Sequence, residues 1–170
     1  LAATVAAFAL CVSSARAQKV DFSKIEIKAT DLGHQTYMLE GQGGNITVAV
    51  GQDGIIMVDS QFAPLHDKIK AAVAKISDKP IKYVVNTHFH GDHTGGDAGF
   101  TKDGAVVVAQ ANVKKRLSEG TSNGLTGNKT APVTGDALPA KTYLFAMTLK
   151  AQGRSARLTH FPNEIGRAHV

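Results

Sequence analysis

A short apolar run, Ile81 to Val85, passes without a break into Asn86-Thr87-His88-Phe89-His90-Gly91-Asp92-His93-Thr94-Gly95-Gly96. The run reads as a buried strand. Along an extended chain, side chains two apart point to the same side, so His88 and His90 present their imidazoles to one point. Gly91 is then expected to let the backbone turn sharply, with Asp92 and His93 projecting from the turn. Three histidines and one carboxylate within six residues are nitrogen and oxygen donors suited to Zn²⁺. Without a cation, charge repulsion and desolvation make such a cluster costly. A metal site at a strand end is therefore the expectation, and a polar loop with an accidental group of histidines is the plain alternative.

Around this segment, strands alternate with helices. Ile46 to Val50 and Ile55 to Val58 are apolar runs joined by Gly51-Gln52-Asp53-Gly54, two strands and a tight turn. Ile25 to Leu39 reads as an edge hairpin broken near Gly33. Leu65, Ile69, Ala72, Val73 and Ile76 fall at helical spacing, in an amphipathic helix that ends before Pro80. Ala105 to Ala109 is another strand, and Asn112 to Ser118 a short helix stopped by Gly120. Thr121 to Ala140, rich in Gly, Asn, Thr and Pro, reads as loop. Tyr143 to Lys150 and Ala156 to Thr159 read as returning strands around Gln152-Gly153. The pattern is that of the α/β class.

Composition removes several other classes. Lys and Arg number 19 against 14 Asp and Glu, a net +5, but the basic residues are scattered. Only Lys114-Lys115-Arg116 form a run, which reads as a solvated helix face, so no nucleic-acid partner is expected. One cysteine cannot pair within the chain, so a disulfide scaffold is excluded.

Both ends read differently from the middle. Leu1 to Val12 is nearly all apolar, and Ala15-Arg16-Ala17 has the small-x-small form a signal peptidase reads. Residues 1–17 are therefore expected to be a signal peptide, with export to the periplasm or beyond. The apolar run falls short of the ~20 residues of a spanning helix, so no stable membrane anchor is expected. Leu10 disfavours a lipid anchor at Cys11, and cleavage before Gln18 would leave the mature chain without cysteine. Residues 164–170 resemble the translation of a sequencing-adapter oligonucleotide and read as a non-native tail, leaving 18–163 as a partial domain.

His88-x-His90-x-Asp92-His93 after a buried strand, continued by Thr94-Gly95-Gly96, resembles the signature of the metallo-β-lactamase superfamily of metallohydrolases. The resemblance extends over most of residues 35–163, through Gly43-Gly44-Asn45, the strand ending at Asp59, and His160-Phe161-Pro162-Asn163. It implies a four-layer αββα sandwich with metals at one edge between two sheets, of which this chain holds the N-terminal half to two-thirds. His88 and His90 would bind a first zinc, and Asp92 and His93 a second, two Zn²⁺ per complete domain. The family's third first-site histidine corresponds to Ile165, and the remaining ligands would fall beyond Val170. His160 is the substitute candidate, while His34 and His66 read as surface or helix-face residues. Asp59 falls where the family places a carboxylate that supports the metal loop, holding Thr87 or the loop backbone. A helix N-cap is its other reading. Asn45 lies in a hairpin near the site mouth or in a simple turn.

The implied activity is hydrolysis by a metal-activated hydroxide, since bound Zn²⁺ lowers the pKa of water from 15.7 to about 7. Asp92 would be the catalytic residue that orients this hydroxide and takes up its proton. The substrate would be a small molecule with an ester, amide or lactam-type bond. The alternatives are a dedicated β-lactamase, a secreted zinc-binding domain without turnover, and an inactive fragment.

Overall fold

A computed structural model describes residues 20–122, 127 and 129–161, and the backbone of 168–169. The expected signal peptide, residues 1–17, lies outside the described residues. So do Asn163, Ile165 and the tail 164–170, apart from the backbone of 168–169.

The first half of the chain forms β1 (Lys28–Asp31), β2 (Thr36–Glu40), β3 (Ile46–Val50), β4 (Ile55–Val58), α1 (His66–Ile76) and β5 (Ile81–Asn86). There follow α2 (Gly91–Thr94), α3 (Asp97–Lys102), β6 (Val106–Gln110) and α4 (Ala111–Glu119). The two-residue strands β7 (Thr121–Ser122) and β8 (Lys129–Thr130) precede β9 (Lys141–Tyr143), β10 (Ala146–Ala151), β11 (Arg154–His160) and β12 (Ala168–His169).

The main sheet has the order β1-β2-β3-β4-β5-β6-β9. Its first four strands are an antiparallel meander; β5, β6 and β9 continue it in parallel. Strands β10, β11 and β12 form a second, antiparallel sheet.

The inner strands are apolar on both faces. Met57, Val84 and Val107 face a core shared with Ile69 and Val73 of α1 and Phe100 of α3. Their neighbours Ile56, Val85 and Val108 face Leu149 and Leu158 of the second sheet. Side chains alternate along a strand, so the central positions of β4, β5 and β6 are hydrophobic on both sides, while the polar Lys82, Asn86 and Gln110 fall toward the strand ends. Each side chain buried in this way contributes roughly 1.5–3 kcal/mol. Helix, sheet and sheet are thus three layers of the αββα sandwich.

One expected strand is divided. Tyr143 to Lys150 reads as a single strand in the sequence, but β9 belongs to the main sheet and β10 to the second. Leu144 and Phe145 carry the chain across at 63% and 75% exposure. No glycine or proline marks the crossing. It is held instead by distant partners: the Gln110 side-chain amide donates to the Leu144 carbonyl (3.2 Å), and the His160 amide to that of Phe145 (2.8 Å). The expected loop 121–140 also contains the small β7–β8 pair. Among the described residues, no helix is long and apolar enough to cross a membrane.

Candidate metal centre

The parallel strands β4 and β5 end side by side, and the site is built on those two ends. The Asp59 amide extends the ladder by donating to the Val85 carbonyl (2.8 Å). Asp59 and Gln61 then take left-handed backbone conformations, φ 64° and 51°. Non-glycine residues rarely adopt these, and such residues collect where surrounding contacts over-determine the chain. Here the contacts are backbone to backbone. The Ser60 amide donates to the His93 carbonyl (2.8 Å), and the Gly96 amide to the Gln61 carbonyl (3.0 Å). A Cβ at Gly96 would stand 2.5 Å from the Ser60 carbonyl oxygen, which is why the segment after α2 needs glycine there.

Gly91 does not make the turn expected of it. It lacks a positive φ, and a Cβ there would meet nothing within 4 Å. The change of direction comes at His90, extended at φ −68°, ψ 146°, which caps the N-terminus of α2.

Asp59 organises the histidine loop. Its carboxylate accepts the Thr87 amide (2.8 Å), the Thr87 hydroxyl (2.8 Å) and His93 Nδ1 (2.7 Å). It caps no helix, so its position agrees with the supporting role and not with the N-cap. The bonds also decide tautomers. Because the single Thr87 hydroxyl proton goes to Asp59, the Thr87 oxygen accepts from His88 Nδ1 (3.0 Å). That leaves the His88 Nε2 lone pair facing outward. In the same way, His93 donates from Nδ1 to Asp59 and turns Nε2 outward.

The outward nitrogens stand in pairs. His88 Nε2 lies 3.1 Å from His90 Nδ1, and His93 Nε2 lies 3.5 Å from Asp92 Oδ2. The His88 and His93 rings are 4.0 Å apart between centroids. Burial, followed by the charges of His93 and His90, pushes the His88 imidazole down to about 4, so it is neutral at pH 7. His93 is shifted up, chiefly by its hydrogen bond to Asp59.

This donor set suits a divalent cation. Two nitrogens bound to one tetrahedral zinc at 2.0–2.1 Å stand roughly 3.3 Å apart, close to the His88–His90 separation. The neutral imidazole of His88 is also in the protonation state a zinc ligand requires. The structure brings the four expected residues together as two pairs. Among the described residues, no three His, Cys, Asp or Glu side chains form a group that could hold a metal ion.

The other histidines lie elsewhere. His66 bonds Asp67 (2.8 Å) and Asp103 (3.0 Å) and packs edge-on against Phe100. His34 is exposed in the β1–β2 turn. His160 ends β11 with Nδ1 buried and without a hydrogen-bond partner among the described residues. Asn45 is exposed, with its amide on the Met38 sulfur (3.4 Å). Gly44 approaches the site more closely: a Cβ there would overlap the His93 ring.

A second buried carboxyl escaped the sequence reading. Asp97 accepts from the Ser60 hydroxyl (2.7 Å) and the Asn86 amide (3.0 Å), tying the ends of β4 and β5 to the start of α3. Its signal in the sequence is weak, because an aspartate after Gly95-Gly96 looks like an ordinary first-turn acid.

Comparison with known proteins agrees with this architecture. A family model described as the metallo-beta-lactamase superfamily matches residues 39–141. A linear primary-alkylsulfatase of a Pseudomonas species is 39% identical over 62 residues, 36% of this chain and 12% of that protein. The class B3 di-zinc metallo-beta-lactamase LRA-12 from an Alaskan soil metagenome superposes with a TM-score of 0.71 at 18% identity, covering 90% of this chain and 59% of its own. The metallo-beta-lactamase GOB-18 from Elizabethkingia meningoseptica gives 0.71 at 21% identity, covering 89% and 57%. The chain thus spans little more than half the length of these lactamases.

Proposed function

The chain belongs to the metallo-beta-lactamase superfamily, and from that membership we propose that it carries the first half of the active site of an exported zinc-dependent hydrolase. The substrate is a small molecule with an ester, amide or lactam-type bond. Support for export comes from the Ala15-Arg16-Ala17 pattern. The observation that carries the reading is the Asp59 arrangement, which turns Nε2 of both His88 and His93 outward while His88 and His90 converge to 3.1 Å. A structural polar loop has no need of a buried carboxylate that fixes the orientation of two imidazoles at once.

His88 and His90 would hold one zinc, and Asp92 and His93 the other. Zinc, when bound, lowers the pKa of water to about 7 and acts as a Lewis acid toward an acyl oxygen. The chain's own residues supply position and proton transfer. Thr87 and Asp59 hold the two rings in register. Asp92 is partly exposed at the start of α2, so its carboxylate is open to a reacting water and placed to accept a proton from it. No serine or cysteine nucleophile is required. The alkylsulfatase relative adds sulfate esters to the bonds worth testing, and the lactamase neighbours keep a dedicated β-lactamase as the narrower reading.

The test is zinc content and turnover of the full-length protein on carboxylic esters, sulfate esters and a chromogenic cephalosporin. His88→Ala or His90→Ala should lower zinc occupancy, and an unchanged content would remove that residue from the ligand set. Asp92→Asn should retain the fold and much of the metal while slowing hydrolysis about a hundredfold or more. Bound zinc with no turnover on any substrate would favour a non-catalytic zinc-binding domain.

A further inference from the structure

A cavity of about 380 Å³ adjoins the histidine loop, lined by Phe89, His90, Arg116 of α4, and Thr121, Ser122 and Thr130 of the β7–β8 pair. Among the described residues, no carboxylate lines it. Its ionisable groups are one guanidinium and one imidazole, and its remaining polar side chains are hydroxyls. A cleft of this composition repels cations and favours a negatively charged occupant.

Arg116 is the distinctive member. Helix α4 buries Val113 and Leu117 and leaves Arg116 exposed. The guanidinium carbon lies 4.9 Å from the centroid of the Phe89 ring. It has no carboxylate partner among the described residues. A cation over an aromatic face is held in place while its N–H donors remain available. Phe89 also stands between His88 and His90 in the chain and meets the His90 ring edge-on at 4.7 Å. The loop that presents the two imidazoles therefore also sets the position of the guanidinium.

We infer that this cavity is an anion-binding subsite, and that Arg116 is a specificity-determining residue holding a negatively charged oxygen group of the substrate beside the bond to be cleaved. The inference rests on the hydrolase reading for its substrate. A guanidinium binds carboxylate, sulfate or phosphate through paired N–H···O bonds, so these three share the recognising chemistry. The charged group is present before and during reaction alike. Arg116 should accordingly govern KM and leave kcat nearly unchanged.

The experiment has two arms on the full-length protein, as wild type, Arg116→Gln and Arg116→Lys. In the first, acetate, sulfate and inorganic phosphate are titrated by calorimetry at constant chloride. At least one should bind the wild type, about tenfold or more weaker to Arg116→Gln, with partial recovery in Arg116→Lys. The preferred anion identifies which oxygen group the subsite takes. In the second, 4-nitrophenyl acetate is compared with 4-nitrophenyl hemisuccinate, which shares the leaving group but carries a charge. Arg116→Gln should raise KM for the charged ester about tenfold or more and leave the neutral ester unaffected.

Equal anion affinity in wild type and Arg116→Gln, no anion binding to the wild type, or the same rise in KM for both esters would overturn the assignment. Wild-type protein that turns over no substrate would remove the hydrolase reading alone, because the titration decides the subsite without turnover.

Discussion

Asp59 and Asp97 lie under the same loop and are almost equally buried, at 3% and 0% exposure, yet they are solvated by the protein in different ways. Asp59 receives three hydrogen bonds, one of them from an imidazole that can carry charge. Asp97 receives two from neutral donors, both on one oxygen, and its Oδ2 has no hydrogen-bond partner among the described residues. Burial accordingly pushes the Asp97 carboxyl up to about 7. Burial favours the neutral acid where donors do not reach both oxygens. The first arrangement orients the proposed ligands, and the second fastens the scaffold behind them.

The contrast breaks most severely at Asp59. Asp59→Ala leaves the Thr87 amide, the Thr87 hydroxyl and His93 Nδ1 without their acceptor. Breaking a buried ionic hydrogen-bond set costs roughly 3–5 kcal/mol. Zinc affinity of the full-length protein should fall about 10–100-fold, as it does when a residue that orients a metal-bound histidine is removed. Denaturant unfolding reads the first effect and metal titration the second. Asp59→Ala binding zinc as tightly as wild type would mean that Asp59 does not orient the ligands.

A smaller effect is expected at Gly44, on the Asp59 side alone. The Cβ of Gly44→Ala would overlap the His93 ring, so His93 or the β2–β3 turn must move. Overpacking of this kind costs about 1–3 kcal/mol. The NMR signals of His93 should shift, and those of Asn86, which is bonded to Asp97, should not. Gly104→Ala is the contrasting variant, because at its positive φ the added atom strains the backbone but meets nothing within 4 Å. Matching spectra for the two variants would show that the close approach to His93 is without consequence.

What could be read in the sequence was local, and what could not was long-range. The apolar run of β5, the helical spacing of α1 and the spacing of His88, His90, Asp92 and His93 are each contained in a short window. The hold of Asp59 on Thr87 was anticipated from a family resemblance, since residues 28 apart carry no local pattern joining them. Glycine is the usual mark of a turn, so the sequence points to Gly91 for a bend that the residue before it, His90 at the N-cap position of α2, supplies. The division of Tyr143 to Lys150 between two sheets depends on Gln110 and His160, which lie far along the chain in either direction. Asp97 was missed because nothing near it distinguishes an inward-facing acid from an exposed one.

The least disruptive test changes only the charge at Asp97. Its carboxyl lies at about 7 in the folded chain against 3.8 as the ordinary value, so the folded state holds a proton that the unfolded state releases. The stability linked to this proton is fully present below about pH 3.8 and is lost as pH rises through about 7. Asp97→Asn keeps the shape, cannot ionise and supplies N–H donors of its own. Its stability relative to wild type should therefore improve between pH 5 and pH 8, by roughly 1 kcal/mol per pH unit at the steepest. His88, pushed down to about 4, acts in the opposite sense: its contribution is present above pH 6.5 and is lost as pH falls. Because both proteins retain His88, that contribution cancels in the difference. A stability difference that stays level from pH 5 to pH 8 would show that burial does not hold a proton on Asp97, and the distinction between the two aspartates would disappear.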